Sequence, residues 1–198
     1  MTRLRMKDAG ALSWVKVRQL MCLSVLCLAV TGPTPLQAQG FGAALAAYLD
    51  GNTDEALSQM HVLADDGNVD ALLFLAEEAQ RRFDLGDMTD RAIVYYARAA
   101  EQGSSHAQRR LGDIYALRAE DAQAPQVQRS LFETARRWYR QASDQGNAQA
   151  ALALARLVRH GFGGPADPAG ALELYTLAAE AGLPGADQEL GHLLLQEN

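Results

Sequence analysis

The chain has 198 residues, a formal net charge of −6, 48% hydrophobic residues and 7% aromatic ones. That length suffices for one domain that buries roughly 70% of its unfolded surface, and the excess of acids argues against a nucleic-acid partner, whose phosphates need a basic face. Residues 1–38 stand apart from the rest. Arg3, Arg5, Lys7, Lys16 and Arg18 make a basic start, Leu20 to Val30 is an uncharged apolar run, and T-G-P-T-P-L-Q-A follows. This is the order of a secretory signal peptide, with cleavage expected after Ala38. The run, Leu20 to Val30, is short of the roughly 20 residues that span a bilayer. Cys22 and Cys27 lie inside it behind bulky Met21 and Leu26, which does not suit lipid attachment. The expected location of the mature chain is periplasmic or secreted. From Gln39 onward there is no Cys and no Lys, and 13 Arg face 23 Asp plus Glu, a net charge of −10. No disulfide is available, so stability must come from packing.

Residues 39–198 read as one repeat domain. Gly67, Gly103, Gly146 and Gly182 recur at spacings of 36, 43 and 36 residues. Four positions after each comes an alanine (Ala71, Ala107, Ala150, Ala186), and four further a leucine (Leu75, Leu111, Leu154, Leu190) followed by a small residue (Ala76, Gly112, Ala155, Gly191). Eleven positions before each glycine sits another alanine (Ala56, Ala92, Ala135, Ala171). Four sets in register at this period predict a solenoid of helix pairs. The repeats fall at about 41–67, 68–103, 104–146 and 147–182, with a closing helix over 184–196.

In the first, Ala43 to Leu49 is a short helix, Gly51-Asn52 a turn, and Thr53 is expected to cap a second helix. The same T-D-x-A start recurs at Thr89. The four glycines suit the left-handed position that ends a helix, and Asn68, Ser104 and Asn147 suit the N-cap of the next. At the fourth junction Pro184 is expected at the first helical position. Gly112 and Gly191 are expected to let helix axes approach closely. Repeat three is seven residues longer than its neighbours, the excess falling around A-E-D-A-Q-A-P-Q-V-Q-R-S, and Pro125 should open its second helix. Seven residues is close to two helical turns, so both helices can lengthen and keep their facing. In repeat four Asp167 can cap and Pro168 can occupy the first turn.

The patterns A-x-x-x-L-G-x-x-Y (Ala107 to Tyr115), G-x-G-G-x-x-D (Gly161 to Asp167) and Ala135, Trp138, Tyr139, Ala142, Gly146 resemble the Sel-one-like repeat (SLR) family, relatives of the tetratricopeptide repeats. The resemblance covers about residues 41–198. Only the fourth copy carries the Gly-rich loop, and the first has Gln59-Met60 where the aromatic pair belongs. The resemblance implies an all-α, right-handed α-solenoid of antiparallel helix pairs that acts as an adaptor or scaffold for other proteins. Exported bacterial members are linked to envelope signalling, exopolysaccharide control or host contact, and the family shares no common active site.

Residue chemistry gives little basis for catalysis. His61, His106, His160 and His192 form no H-E-x-x-H and no i, i+4 pair, so no metal site is expected. No cofactor is expected either. The rival reading is a cell-wall or β-lactam hydrolase, as proposed for cysteine-rich relatives. This chain lacks their cysteines, and without lysine after Gln39 it has no S-x-x-K there. H-G-F-G-G-P (His160 to Pro165) has neither the preceding strand nor the Lys and Ser/Thr of a phosphate loop, and reads as a turn. Tyr95-Tyr96, Trp138-Tyr139 and Tyr175 recur at one phase, as core residues do.

Charge is the more informative signal. Seven of the 13 arginines (Arg109, Arg110, Arg118, Arg129, Arg136, Arg137, Arg140) lie in repeat three, which carries +2 while the rest of the mature chain carries −12. A solvated helix face with local pairs such as Glu133 with Arg137 accounts for this first, and a partner-binding face is the alternative. For a concave protein-binding surface, the positions six and ten after the capping glycines supply Leu73 and Glu77, Arg109 and Asp113, and Leu152 and Arg156. Arg109 and Arg156 are the expected anchors, since arginine joins a planar donor fork to stacking. The expected partner is another envelope protein.

Overall fold

The computed structural model describes residues 35–82 and 87–196, with side chains over 40–81 and 90–195. Among the described residues there are nine helices and no strand: α1 (Pro35–Leu49), α2 (Thr53–Asp65), α3 (Val69–Arg82), α4 (Asp87–Glu101), α5 (Ser105–Asp121), α6 (Pro125–Asp144), α7 (Ala148–His160), α8 (Pro168–Glu180) and α9 (Ala186–Gln196). From α2 onward each helix packs on the next, and α5 also touches α7 across the hairpin between them. This is the α-solenoid expected. The basic and apolar leader up to residue 34 lies outside the described residues.

The recurring glycines set the phase. Gly67, Gly103, Gly146 and Gly182 all have φ between 72° and 87°, a conformation a Cβ would penalise. The next helix starts at once under a side-chain cap. Asn68 Oδ1 accepts from Ala71 N at 2.9 Å, Ser104 Oγ from Ala107 N at 3.3 Å, and Asn147 Oδ1 from Ala150 N at 3.0 Å. Each cap uses one of the donors that a helix start leaves unpaired. Asp167 Oδ1 caps α8 through Gly170 N at 2.9 Å, and Pro125 and Pro168 occupy first turns, all as expected.

Four expected helix starts need correction. The first helix begins at Pro35 rather than Ala43, so Ala38, where cleavage is expected, lies inside α1. Thr53 does not cap α2. It is the first helical residue, Asn52 takes the capping position without a side-chain bond, and the Thr53 hydroxyl points back to Gly51 O at 3.5 Å. α4 likewise starts at Asp87, two residues before Thr89. Pro184 precedes its helix rather than opening it. Gly185 at φ 85° completes a turn in which Ala186 N donates to Leu183 O at 3.2 Å, and α9 starts there.

The repeating alanines are the floor of the packing. Ala56, Ala92, Ala135 and Ala171 are fully buried, as are Ala71, Ala107, Ala150 and Ala186. Two core clusters result, one from Ala44 to Ile114 and one from Ala119 to Leu193, with Tyr115 packed against both. Tyr96, Tyr139 and Tyr175 are buried at one repeat position, which makes them core residues. Gly112 is a contact glycine, as expected: a Cβ there would lie 2.5 Å from the Tyr139 ring. Gly191 is not. A Cβ on it would meet nothing within 4 Å, because no described helix follows α9 to lay a ring over it.

Candidate interaction groove

The extra residues of repeat three help to build a site. α5 and α6 run for 17 and 20 residues, against 13 each for their counterparts α7 and α8. The added turns, with the second half of α7, line a cleft of about 480 Å³. Its apolar floor is Ala116, Phe132, Ala153 and Leu157, and Glu120, Gln128, Arg156 and His160 stand around it. A second hollow of about 420 Å³ shares Gln128, Phe132 and Phe162 and runs on past Arg129 along Gly161 to Pro165.

Phe162 closes the cleft and is held there by its backbone. Gly161 ends α7 at φ 71°, and Phe162 N donates to Leu157 O at 2.9 Å. Gly163 lies so close to α6 that a Cβ would overlap the backbone of Phe132 and Glu133. From α6, Arg136 Nη1 donates to Pro165 O at 3.3 Å and Phe162 O at 3.5 Å. Burial in this position, together with the charge of Arg140, lowers the Arg136 pKa against the opposing pull of Asp167. The loop is therefore a brace between α6 and α7. It presents Phe162 stacked on Phe132, with centroids 4.9 Å apart, and still 46% exposed.

The structure distributes the six residues proposed from sequence. Leu152 is 9% exposed and belongs to the C-terminal core, and Leu73 is half-buried against the N-terminal one, so Leu152 is corrected from surface to core. Glu77 is exposed and pairs with His106 at 3.4 Å. Arg109 and Asp113 are brought together, but with each other: Asp113 accepts from Arg109, from Arg110 at 3.2 Å and from the Tyr139 hydroxyl at 2.9 Å. Arg109 is only 18% exposed and is an internal brace, not an open anchor. Arg156 alone of the six lines the groove, 54% exposed and paired through Nε with Glu189 at 3.4 Å.

Sequence reasoning missed Phe132, Phe162, Gln128 and Glu120. The available signals were the length of repeat three and the one phenylalanine inside the Gly-rich loop. Among the described residues no group of three His, Cys, Asp or Glu could hold a metal ion, and no helix is long and apolar enough to cross a membrane.

The Sel1 repeat family matches three segments of the chain, residues 86–104, 105–147 and 148–183. The last two segments lie within one residue of the glycine-phased units 104–146 and 147–182, and the first covers the second half of unit 68–103. This is a Sel1-like repeat protein. Its fold is similar to that of a protective antigen of uropathogenic Escherichia coli strains displaying an SLR fold, at a TM-score of 0.64 and 26% identity over 79% of this chain and 33% of that one. A Sel1 repeat protein from Oxalobacter formigenes is similar in fold at a TM-score of 0.64 and 24% identity, over 79% of this chain and 61% of that one. The Sel1-like chain thus spans a third to three fifths of those proteins. Among curated proteins none matches it in sequence. Sel1 repeats point to a protein–protein interaction scaffold.

Proposed function

We propose that this Sel1-like repeat protein is an exported, non-enzymatic adaptor whose partner is another envelope protein, the extracytoplasmic part of a signalling or polysaccharide-secretion component. The observation that carries the reading is the braced loop that holds Phe162 exposed at the mouth of an apolar cleft. A large aromatic fixed half in water at the edge of a groove is the geometry of a binding anchor. The basic, apolar and small-residue order of residues 1–38 supports export. Mature protein recovered from the periplasm should begin near Gln39, and recovery of full-length protein only from the cytoplasm would end that part of the reading. Cross-linking in cells followed by purification should trap an envelope protein with the wild type and lose it with Phe162→Asp, at unchanged helical circular dichroism. If purified protein turned over a chromogenic β-lactam or peptidoglycan, and one substitution abolished it, the adaptor reading would give way to a hydrolase.

A further inference from the structure

The groove has a charge as well as a shape. Its charged lining is Arg156 and Glu120 in the cleft and Arg129 in the continuing hollow, with His160 at the rim. The acid next to Arg156 does not cancel it. Glu189 is shared by Arg156 at 3.4 Å and Arg159 at 3.3 Å, so two guanidiniums meet one carboxylate. Arg156 uses Nε for that pair and remains 54% exposed. All this sits in a mature chain of net charge −10, of which repeat three alone is positive. At physiological salt, charges beyond about 8 Å are screened, so a bound ligand feels the local cations more than the distant acids.

We infer that the cleft between α5, α6, α7 and the 161–165 loop binds an extended acidic peptide segment, one apolar or aromatic side chain entering beside Phe162 and a neighbouring carboxylate pairing with Arg156. The inference rests on the adaptor reading and adds the chemistry of the partner. The floor of Ala116, Phe132, Ala153 and Leu157 offers no charge to the entering side chain. A volume of about 480 Å³ is at the small end of ligand pockets and accommodates one or two side chains rather than a folded surface. Arginine favours a carboxylate partner because its fork donates two parallel hydrogen bonds. A basic segment would meet two lining cations, Arg129 and Arg156, against the single lining carboxylate of Glu120, and would lose affinity there. The acidic remainder of the chain repels the same acidic peptide elsewhere, which confines it to this face.

The test is selection from a random dodecapeptide library displayed on phage, against the purified protein. Enriched sequences should place Asp or Glu next to Phe, Tyr, Trp or Leu. A synthetic peptide of the enriched sequence should bind about tenfold more weakly to Arg156→Glu and to Phe162→Ala, and about equally to Leu177→Ala, an exposed apolar residue on α8 that lines neither hollow. Its affinity should fall as salt rises. Circular dichroism verifies that each variant folds, and Arg156→Gln serves if the charge reversal does not. Enrichment of basic or uncharged sequences, no enrichment at all, or binding indifferent to both groove substitutions overturns the inference. Selection needs no cellular partner, so its failure is separable from failure of the adaptor reading. An envelope protein trapped equally by wild type and both variants would leave the adaptor standing and remove the groove as its site.

Discussion

Tyr139 in repeat three and Tyr175 in repeat four occupy one repeat position, seven residues before the capping glycine, and both are buried. The residues nine after the preceding glycines differ: Gly112 in repeat three and Ala155 in repeat four. A methyl group on Gly112 would lie 2.5 Å from Cδ1 and Cε1 of Tyr139. Ala155 already carries that methyl, fully buried in the same cluster as Tyr175. The hydroxyls fare differently as well. Tyr139 donates to Asp113 at 2.9 Å, whereas the buried Tyr175 oxygen meets no carboxylate and, among the described residues, has only the Arg159 guanidinium to turn to. One repeat position is therefore filled in two ways. Repeat three gives up helix propensity for an approach close enough to tie its tyrosine into an ionic network, and repeat four keeps the better helix former and leaves its tyrosine held by apolar packing.

The largest test of that contrast is steric. Gly112→Leu forces the Tyr139 ring out of place and should cost about 3 kcal/mol, the upper end for overpacking. Ala155→Gly should cost about 1 kcal/mol, through lost helix propensity and one lost methyl. Gly191→Ala, at the same repeat position with nothing within 4 Å, should stabilise by about 0.5–1 kcal/mol. Denaturant melts of the three variants check the order. If Gly112→Leu melts with the wild type, the close approach does not exist. The exposed Gln126→Ala serves as the silent control, within about 0.5 kcal/mol.

The networks give the next test. Asp113 and Glu189 have nearly equal side-chain exposure, 31% and 32%, and each serves two arginines. Only Asp113 also receives a buried tyrosine hydroxyl. Asp113→Ala strands that donor and the half-buried Arg109 and Arg110, and should cost about 1–3 kcal/mol. Glu189→Ala releases arginines of which Arg156 is largely in water, and should cost about 0–1 kcal/mol. Equal losses would mean that Tyr139 adds nothing to the network of repeat three.

How much of this was legible in the sequence follows from what each signal is. Glycine spacing fixes where helices end, because the left-handed position admits little else, and the Asn or Ser after it fixes where the next begins. Those local rules delivered the solenoid and its register. They failed where two of them competed. Pro184 suits a helix start, but Gly185 behind it takes a positive φ and delays the helix to Ala186. Thr53 suits a cap, but Asn52 is already there. Recurring position also proved a poor guide to exposure. Residues six and ten after the glycines include buried Leu152 and internally paired Arg109, because each repeat meets different neighbours. The groove was least legible, since it belongs to a departure from the repeat. The excess length of repeat three was visible, but whether it becomes a loop or lengthens both helices depends on contacts with the 161–165 loop, far along the chain.

The smallest expected effect concerns the two hydroxyls themselves. At neutral pH Tyr139→Phe should cost about 0.5–1.5 kcal/mol, the net worth of one hydrogen bond. Tyr175→Phe removes a buried oxygen that makes no hydrogen bond of good geometry among the described residues, and should be neutral or slightly stabilising. Alkali sharpens the pair. Burial raises the pKa of both tyrosines above the ordinary value near 10, for Tyr139 with a further push from Asp113 and for Tyr175 against an opposing pull from Arg159. A group with a raised folded pKa holds its proton more tightly when folded than when unfolded. Its contribution is complete below about pH 10 and is lost as the pH climbs toward the folded value. The wild type should therefore lose melting temperature above about pH 10, and Tyr175→Phe should lose less than the wild type. Should Tyr175→Phe instead cost as much at neutral pH as Tyr139→Phe, then Arg159 bonds the Tyr175 hydroxyl in solution. The two repeats would then anchor their tyrosines alike, and only the steric difference between Gly112 and Ala155 would remain to distinguish them.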